Sequence, residues 1–441
     1  MDRAYINVIG AGLAGCEAAW QAAIRGVKVR LYEMKPAQYT PAHSSDQFAE
    51  LVCSNSFRAA GLENAIGLLK KELRLLGSLV MEAALNTKVE AGGALAVDRA
   101  GFSEYITKKI ISHENIEVIH DEVTAQPDDA ITIYATGPLT SDKLSEYLRT
   151  MMPSNYLYFF DAAAPIVDRS SIDMSRAFYA SRYDKGEASY INCPMSRDEY
   201  TNFYNELIVG KTAHLHDADG DGLTVFEGCM PVEVMASRGF ETLLYGPLKP
   251  VGLVDPRTGE QPFAVVQLRI DDAKASLYNI VGFQTHLTFG EQKRIFGLIP
   301  GLEKASFVRY GVMHRNTYIN SPAMLSDIYN MRENPDVFFA GQMTGVEGYM
   351  ESASSGFVAG INAAKMQLGQ STVSFSPMTA IGALAAYISD ERITRFQPMN
   401  VNFGIVPTLG SKIKGGKKVK NLALSQRSLD IITQMLANKN I

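Results

Sequence analysis

Short apolar runs and amphipathic stretches alternate along the first part of the chain. Residues 5–9 form an apolar run that predicts a buried strand, and residues 13–25 after it have the spacing of a helix. Residues 28–33 predict a second strand, and residues 131–134 predict a third. Strands that alternate with helices are typical of βαβ units, so this pattern predicts an α/β fold with a parallel sheet.

Two further helices are predicted between these strands. Residues 103–112 predict one helix, and Ser103 is placed to cap its first turn. The other is an amphipathic helix on the sheet, because apolar residues recur there at three- or four-residue spacing. Its apolar positions are Leu62, Ile66, Leu69, Leu73, Leu76 and Val80.

The turn between the first strand and the first helix carries a glycine fingerprint. Gly10 permits a tight turn, Gly12 lets the backbone approach a pyrophosphate, and Gly15 allows the helix and strand to pack closely. Glu33 ends the second strand 18 residues later, where a carboxylate can accept a ribose hydroxyl. A strand, a helix and an acid in this order predict a dinucleotide site. The segment expected to contact it is Gly10, Ala11, Gly12, Leu13, Ala14 and Gly15.

Two later fragments extend this site. One follows the strand at residues 131–134, and the other is a glycine-rich stretch, residues 338–348, before a helix predicted from about Ser352. The amino end of that helix can point at a flavin, where its dipole stabilises the reduced form. Three fragments around one dinucleotide favour FAD over NAD. The residues expected to bind it here are Thr136, Gly137, Gly341, Gln342, Gly345, Gly348 and Tyr349.

The sequence pattern changes after about residue 160. Residues 161–289 contain tyrosines, arginines and short strand-like pieces separated by glycine and proline, without a second dinucleotide fingerprint. We therefore predict an FAD-binding Rossmann-like domain of the glutathione-reductase type that is discontinuous. It would comprise residues 1–160 and 300–441, with an α+β substrate domain, residues 161–299, inserted between them.

Composition narrows the class of protein. A chain of 441 residues that is 46% hydrophobic can form two or three domains. No run approaches 18 apolar residues and no signal-peptide pattern is seen, so we expect no membrane partner. Four cysteines without CxxC spacing favour a reducing cytoplasm. The net charge of −5 disfavours indiscriminate polyanion binding, although a local basic patch can still bind RNA.

Two charged segments have more than one interpretation. Five lysines between Lys412 and Lys420 either contact phosphates or form a solvated tail. Residues 217–222 begin like a calcium-binding loop, but Gly228 stands where that loop needs its closing glutamate. We expect a solvated loop there and no structural metal.

Several segments resemble one family, the folate- and FAD-dependent RNA (uracil-5-)-methyltransferases of bacteria. The resemblance runs from residue 10 to about residue 407. The family is similar to longer FAD-dependent enzymes that install carboxymethylaminomethyl groups on tRNA uridines. The segments that carry the resemblance are residues 50–56, 91–99, 226–231, 278–286, 310–316 and 341–348.

The resemblance implies an enzyme that makes 5-methyluridine. It would transfer a one-carbon unit from 5,10-methylenetetrahydrofolate, by way of reduced FAD, to C5 of a uridine in the T loop of tRNA. NAD(P)H would reduce the oxidised flavin again after each turnover. Some close relatives act on a uridine of 23S ribosomal RNA instead, and the sequence does not separate the two substrates.

This chemistry gives two cysteines a role. Uracil C5 is a weak nucleophile until a thiolate adds at C6, and a base must later remove the C5 proton. We favour Cys53 as the nucleophile and Cys229 as the acid/base, with the exchange of roles left open. Arg58, five residues after Cys53, could help to stabilise a thiolate. We expect Cys16 and Cys193 to be buried.

Further residues are expected to contact folate or uracil. His286, His314 and Tyr349 are candidates to stack on the pterin, and a hydrogen-bonded structural role is the alternative for each histidine. Arg315 and Asn316 could recognise pterin or uracil edges.

The target uridine must be flipped out of a folded RNA to react. Arg269, Lys293 and Arg294 could meet RNA phosphates or folate glutamates. For Tyr179 and Tyr183 we expect core packing rather than stacking on RNA bases.

Two other classes of function remain open. A plain FAD/NAD(P)H oxidoreductase would need neither a folate site nor paired cysteines. A non-catalytic flavin-binding scaffold would bind RNA without forming a covalent bond to it. The sequence does not predict an oligomeric state.

Overall fold

The computed structural model describes residues 5–40, 42–127, 130–152, 156–162, 164–184, 188–213, 230–272, 274–311, 313–394, 396–410 and 415–438. Its strands are β1 (Ile6–Ile9), β2 (Val29–Tyr32), β3 (Ser56–Ala59), β4 (Lys88–Val89), β5 (Ala94–Val97), β6 (Ile116–Ile119), β7 (Thr132–Tyr134), β8 (Tyr156–Ala162), β9 (Ile166–Asp168), β10 (Phe178–Ala180), β11 (Tyr190–Met195), β12 (Ala264–Ile270), β13 (Leu277–Ile280), β14 (Phe307–Arg309), β15 (Met313–Ile319) and β16 (Val337–Phe339). Its α-helices are α1 (Leu13–Ala23), α2 (Ala65–Leu75), α3 (Leu79–Asn86), α4 (Arg99–Ile111), α5 (Asp142–Met151), α6 (Arg197–Ile208), α7 (Val232–Ser237), α8 (Phe289–Phe296), α9 (Ser321–Met324), α10 (Tyr349–Gln367), α11 (Ala380–Ile388) and α12 (Gly416–Ala437).

A five-stranded parallel sheet organises the first part of the fold. Its strand order is β16-β7-β1-β2-β6. Strands β1, β7 and β16 are buried along their whole length, as expected for parallel strands that helices cover. The parallel sheet that the βαβ pattern predicted is present.

Three neighbouring strands of this sheet explain how distant segments meet. Strand β7 pairs in parallel with β1 on one side and with β16 on the other, so all three end at the same edge. The segments that follow them begin at Gly10, Ala135 and Ala340. The topology therefore brings the three glycine-rich fragments together.

Helices α1 and α10 pack against each other at glycines. A Cβ added at Gly356 would lie 2.8 Å from the Cα of Ala14, and one at Gly360 would lie 2.7 Å from the Cα of Ala18. Real side chains do not approach so closely. The two helices are in contact because glycine leaves room for the facing backbone.

Two buried glutamates bind the amino ends of neighbouring helices. Glu17 of α1 accepts hydrogen bonds from the first two amides of α3, at 3.2 and 2.9 Å. Glu72 of α2 accepts from the first two amides of α11, at 2.8 and 2.9 Å. A helix amino end favours a negative group. Burial nevertheless raises the pKa of Glu17, and it raises the pKa of Glu72 to about 7.

The long amphipathic helix predicted from Leu62 to Val80 is wrong, because two helices occupy this stretch. Helix α2 ends at Leu75, and Gly77 then adopts a φ of 80°, which ends a helix readily. Ser78 caps α3, since its hydroxyl accepts a hydrogen bond from the amide of Met81 at 3.2 Å. The apolar spacing continues across this break.

The predicted start of the next helix is also wrong. Helix α4 begins at Arg99, and its cap is Asp98, whose carboxylate accepts from the amide of Gly101 at 2.5 Å. Ser103 is buried inside the helix.

A six-stranded antiparallel sheet organises a second unit, in the order β10-β11-β12-β13-β9-β14. Helices α6, α7 and α8 contribute to its core, and α6 begins with a capping box of Ser196 and Glu199. The chain enters and leaves this unit through the antiparallel pair β8 and β15. The domain boundaries at residues 160 and 299 stay a prediction.

Candidate cofactor and cysteine site

A cleft lies at the carboxyl edge of the parallel sheet, and all three glycine-rich segments line it. The end of β2 contributes Glu33. The residues of the predicted cofactor site that line the cleft are Gly10, Ala11, Gly12, Leu13, Ala14, Glu33, Thr136, Gly137, Gly341, Gln342 and Tyr349.

The other three predicted glycines shape the backbone around the cleft. A Cβ at Gly15 would overlap the carbonyl oxygen of Gly10, so Gly15 permits the close approach of α1 to its turn. Gly345 and Gly348 have φ values of 82° and 116°, which favour glycine. A Cβ at Gly345 would also overlap the ring of Phe396.

The cleft has the features that an anionic dinucleotide requires. Apart from adjacent residues and the helix's own backbone, no described atom lies within 4 Å of a Cβ built on Gly12, so this residue leaves open space where a side chain would stand. Helices α1 and α10 both start at the cleft from a glycine, and neither amino end receives a side-chain hydrogen bond from its N-cap. Free amides at helix amino ends bind phosphate. The residues present therefore fit FAD.

Glu33 is held in place by backbone donors. Its two carboxylate oxygens accept hydrogen bonds from the amides of Ala11 and Lys35, at 3.0 and 3.1 Å. Each oxygen has a second lone pair, so the carboxylate can still accept a ribose hydroxyl. Across the cleft, the side-chain Nε2 of Gln342 donates to both carboxylate oxygens of Glu347, at 2.9 and 2.8 Å.

Cys53 lies on a loop, residues 51–55, that Tyr349 ties to the cleft. The hydroxyl of Tyr349 accepts hydrogen bonds from the amides of Cys53 and Ser54, at 2.8 and 3.0 Å. Tyr349 is the first residue of α10 and also lines the cleft, as does Val52. Cys53 itself is half-buried. The structure thus brings the predicted nucleophile to the predicted cofactor site.

The charges near Cys53 differ from those expected. Arg58, predicted beside the thiolate, instead forms an ion pair with Glu351. Cys53 instead has electrostatic interactions with Arg99, Arg269 and Arg309. Sequence reasoning missed Arg99 and Arg309, although each ends or adjoins a segment that carries the family resemblance.

Two predicted ligand contacts, and two residues predicted to pack in the core, lie elsewhere. Arg269 is 8% exposed and points at the Cys53 loop rather than at solvent, so the prediction that it meets phosphates or folate is wrong. Arg294 is on the surface, where it pairs with Glu291 at 2.7 Å and with Glu206. Tyr179 and Tyr183 are 45% and 56% exposed, so the expected core packing is also wrong.

His286 is bound within the second unit. Its Nδ1 lies 2.6 Å from a carboxylate oxygen of Glu233, and its amide donates to the same oxygen at 2.9 Å. Residues on both sides of the undescribed stretch 214–229 contact this segment. The amide of Ala213 donates to the carbonyl of His286, and the amide of Val232 donates to that of Gln284.

Several predicted positions lie outside what the structure describes. Cys229 and the aspartate-rich residues 217–222 belong to the undescribed stretch 214–229. His314, Arg315 and Asn316 lie on β15, paired with residues 159–161 of β8, but their side chains are not described.

The remaining two cysteines are buried, as predicted. Burial raises the pKa of the Cys16 thiol well above its usual range and raises that of Cys193 to about 12. Both thiols therefore stay protonated, which fits a packing role.

The lysine-rich segment is partly helical. Lys417, Lys418 and Lys420 are exposed in the first turns of α12, whereas Lys412 and Lys414 lie outside the described residues. The helix is tied down by Ser425, whose hydroxyl donates to the carbonyl of Leu62 at 2.7 Å. From Lys417 onward the lysines are exposed at the end of an anchored helix, and contact with phosphates stays a prediction.

The described residues contain no group of three or more histidine, cysteine, aspartate or glutamate side chains that could hold a metal ion. None of the described helices is long and apolar enough to cross a membrane.

Comparison with known proteins identifies the family. The model of the family described as glucose inhibited division protein A, GIDA, matches residues 5–371. The chain belongs to this family. An Acetivibrio thermocellus protein named methylenetetrahydrofolate--tRNA-(uracil-5-)-methyltransferase TrmFO is 59% identical over 98% of this chain and 99% of its own. A Ligilactobacillus salivarius protein of the same name is 58% identical over 97% and 98%. The chain also belongs to the group that these relatives represent, as the resemblance indicated.

Solved structures agree on the fold. Aquifex aeolicus GidA superposes with a TM-score of 0.69 in one crystal form and 0.68 in another, at 18% and 17% identity. The match covers 97% and 98% of this chain but only 76% and 74% of the GidA chains. The likeness concerns the fold, and it confirms the predicted Rossmann-like architecture.

Proposed function

We propose that this protein is an FAD-dependent methylenetetrahydrofolate--tRNA-(uracil-5-)-methyltransferase. It transfers a one-carbon unit from 5,10-methylenetetrahydrofolate to C5 of a uridine in the T loop of tRNA, with NAD(P)H as the reductant. Relatives of that name match nearly the full chain at 59% and 58% identity. The single structural observation that supports this function is the attachment of the Cys53 loop to Tyr349 at the cleft.

The cleft residues supply the cofactor site. The amino ends of α1 and α10 would hold the pyrophosphate and the flavin, and Glu33 would hold a ribose. Gly12 leaves room for the pyrophosphate to approach the backbone. When bound, FAD relays the one-carbon unit from folate and supplies the hydride that completes the methyl group.

The cysteines supply the covalent step on uracil. The Cys53 thiolate adds to C6, which makes C5 an enolate carbon able to accept the one-carbon unit. Cys229 then takes the C5 proton, and departure of the Cys53 sulfur restores the ring. Positive charge around Cys53 favours the thiolate that this addition needs.

The folate and uracil contacts are part of the same proposal. His314, Arg315 and Asn316 follow one another on β15, and His286 lies next to the ends of the stretch that contains Cys229. We propose that these residues surround the pterin and the uracil. Their shared support is the resemblance of segments 278–286 and 310–316 to the family.

The substrate RNA is tRNA in this proposal rather than 23S ribosomal RNA, because the relatives carry tRNA in their names. A tRNA substrate also places the protein in the cytoplasm. A plain oxidoreductase would not need a cysteine with arginines around it.

Covalent trapping tests the role of Cys53. An RNA with 5-fluorouridine at the target position cannot lose a C5 proton, so a complex between enzyme and RNA should accumulate when methylenetetrahydrofolate and NADPH are present. We expect wild type and the matched control Cys193→Ala to trap the RNA. Cys53→Ala should keep its yellow FAD and trap none.

The outcomes separate the alternatives. Trapping by Cys53→Ala but not by Cys229→Ala would exchange the two roles. No trapping by any form, with NADPH still consumed, would support the oxidoreductase. Loss of flavin from folded Cys53→Ala would make Cys53 structural.

A further inference from the structure

The six-stranded sheet holds the loop that carries Cys53. Arg269, the penultimate residue of β12, donates from Nη2 to the hydroxyl of Ser54 at 2.7 Å and from Nε to the amide oxygen of Asn55 at 3.2 Å. Asn55 in turn donates to the carbonyl of Ile270 at 2.9 Å. Two residues that directly follow Cys53 are thus bound by one strand of the second unit.

A second arginine holds the same loop from the other side. Arg99, the first residue of α4, donates to the carbonyl of Leu51, two residues before Cys53. Its Nη2 and Nε also donate to the carboxylate of Asp271, at 2.8 and 3.1 Å. The side chains of this ion pair are only 16% and 3% exposed. Buried polar contacts from α4 and from the end of β12 therefore clamp the loop.

The clamp leaves positive charge beside the sulfur. Cys53 has electrostatic interactions with Arg99 from α4, Arg269 from β12, Arg309 from β14 and Tyr349 from α10. Burial raises the pKa of Tyr349, so its hydroxyl is neutral at pH 7. Asp271 is the carboxylate that pairs with Arg99.

The surroundings of Arg269 partly oppose its positive charge. Burial lowers its pKa and the like charge of Arg99 lowers it further, whereas Tyr190, Asp271 and, to a smaller extent, Cys53 raise it. Electrostatic coupling is reciprocal, so the same arginine favours the thiolate over the thiol. Because the Arg269 side chain is buried and already hydrogen-bonded to the loop, it acts through Cys53 rather than on a substrate.

We infer that Arg269 is a positioning residue, which fixes the Cys53 loop and, together with Arg99, keeps the Cys53 sulfur as a thiolate. The addition of that thiolate to uracil C6 is part of the proposed function, on which the inference rests to this extent. The thiolate itself can be measured in the flavin-bound protein without RNA, folate or turnover.

The test is the pH dependence of alkylation by iodoacetamide, followed by mass spectrometry of the peptide that contains Cys53. Only the thiolate reacts, so the rate reports its fraction. Loss of one nearby positive charge in Arg269→Met should raise the measured pKa by about 1, and the rate at pH 7 should fall by up to about tenfold. Arg257→Met is the matched control, because Arg257 pairs with Asp255 in the same unit and interacts with Cys193 instead. Its Cys53 profile should match wild type.

Two further variants separate charge from packing. Arg269→Lys keeps the charge but loses the two-pronged contact, so the Cys53 profile should stay near that of wild type while methyl transfer falls. Asp271→Asn removes the carboxylate that offsets Arg99, so alkylation at pH 7 should become faster. A purely structural role gives no reason for Arg269→Met and Asp271→Asn to move the profile in opposite directions.

An Arg269→Met profile equal to that of wild type, in protein that keeps its flavin, would overturn the inference. If Arg269→Met fails to fold, slower alkylation in Asp271→Asn would overturn it instead. Expected profiles in a wild type that methylates no RNA would leave the clamp in place and refute the proposed function. Methylation with unmoved profiles would refute the clamp alone.

Discussion

Alanine at Gly12 and alanine at Gly15 should damage different properties, although both glycines belong to one fingerprint. Gly12 has extended backbone angles, φ −75° and ψ −172°, and a Cβ built on it meets no described atom within 4 Å. A Cβ on Gly15 would overlap the carbonyl oxygen of Gly10 and lie 3.0 Å from its carbonyl carbon. The first change should affect only a bound ligand, and the second should affect the fold.

The magnitudes follow from these contacts. Overpacking by one methyl group costs about 1–3 kcal/mol. At Gly12 the added methyl group would crowd the bound pyrophosphate, so the Kd for FAD should rise about 5- to 150-fold. At Gly15 the overlapped atom is backbone that cannot rotate away, so the cost should be near 3 kcal/mol. Alanine regains up to about 1 kcal/mol of helix propensity, which leaves a net loss of about 2 kcal/mol.

The assay uses the apoprotein of each variant. Flavin fluorescence quenching gives the Kd for FAD, and thermal unfolding without FAD gives Tm. We expect Gly12→Ala to unfold like wild type and to bind FAD weakly, whereas Gly15→Ala should have the lower Tm. Wild-type affinity in Gly12→Ala would refute the assignment of this turn to the pyrophosphate. Equal losses of Tm in both variants would show that Gly12 is structural.

Two further predictions concern charge. Burial raises the pKa of Glu72 to about 7 from 4.5, so its contribution to stability is present below pH 4.5 and lost as pH rises through 7. Between pH 4 and 8, wild type should lose on the order of 3 kcal/mol of unfolding free energy that Glu72→Gln does not lose, as measured by urea unfolding. The same pH dependence in both proteins would contradict this prediction. Replacing Lys417, Lys418 and Lys420 by glutamine should weaken RNA binding and flatten its salt dependence. Unchanged affinity would mean that this end of α12 does not contact RNA.

Local sequence signals predicted the parts of the site that depend on neighbouring residues. The turn at Gly10 and the acid at Glu33 were recognisable because backbone geometry demands them at fixed spacing. The meeting of Gly137 with Gly341 was also predictable, once both were placed at the ends of parallel strands. These features depend on the chain's local periodicity.

Features that depend on distant partners were not predictable. Arg99 and Asp271 are 172 positions apart, and the fold alone places them together beside Cys53. Arg269 has no local signal of burial, since an arginine in a strand is usually solvated. The break at Gly77 was missed because the same apolar spacing continues through it, although a glycine followed by a serine is a recognisable stop and start.

The most direct test of the proposed function follows a labelled carbon. Purified protein would be incubated with NADPH and methylenetetrahydrofolate labelled in its methylene bridge, with unmodified tRNA and 23S ribosomal RNA fragments competing in one tube. We expect label in C5 of a T-loop uridine of tRNA, and none in tRNA when Cys53→Ala replaces wild type. Label in neither RNA while NADPH is consumed would contradict the methyltransferase assignment, and label in the ribosomal fragment alone would contradict the choice of tRNA.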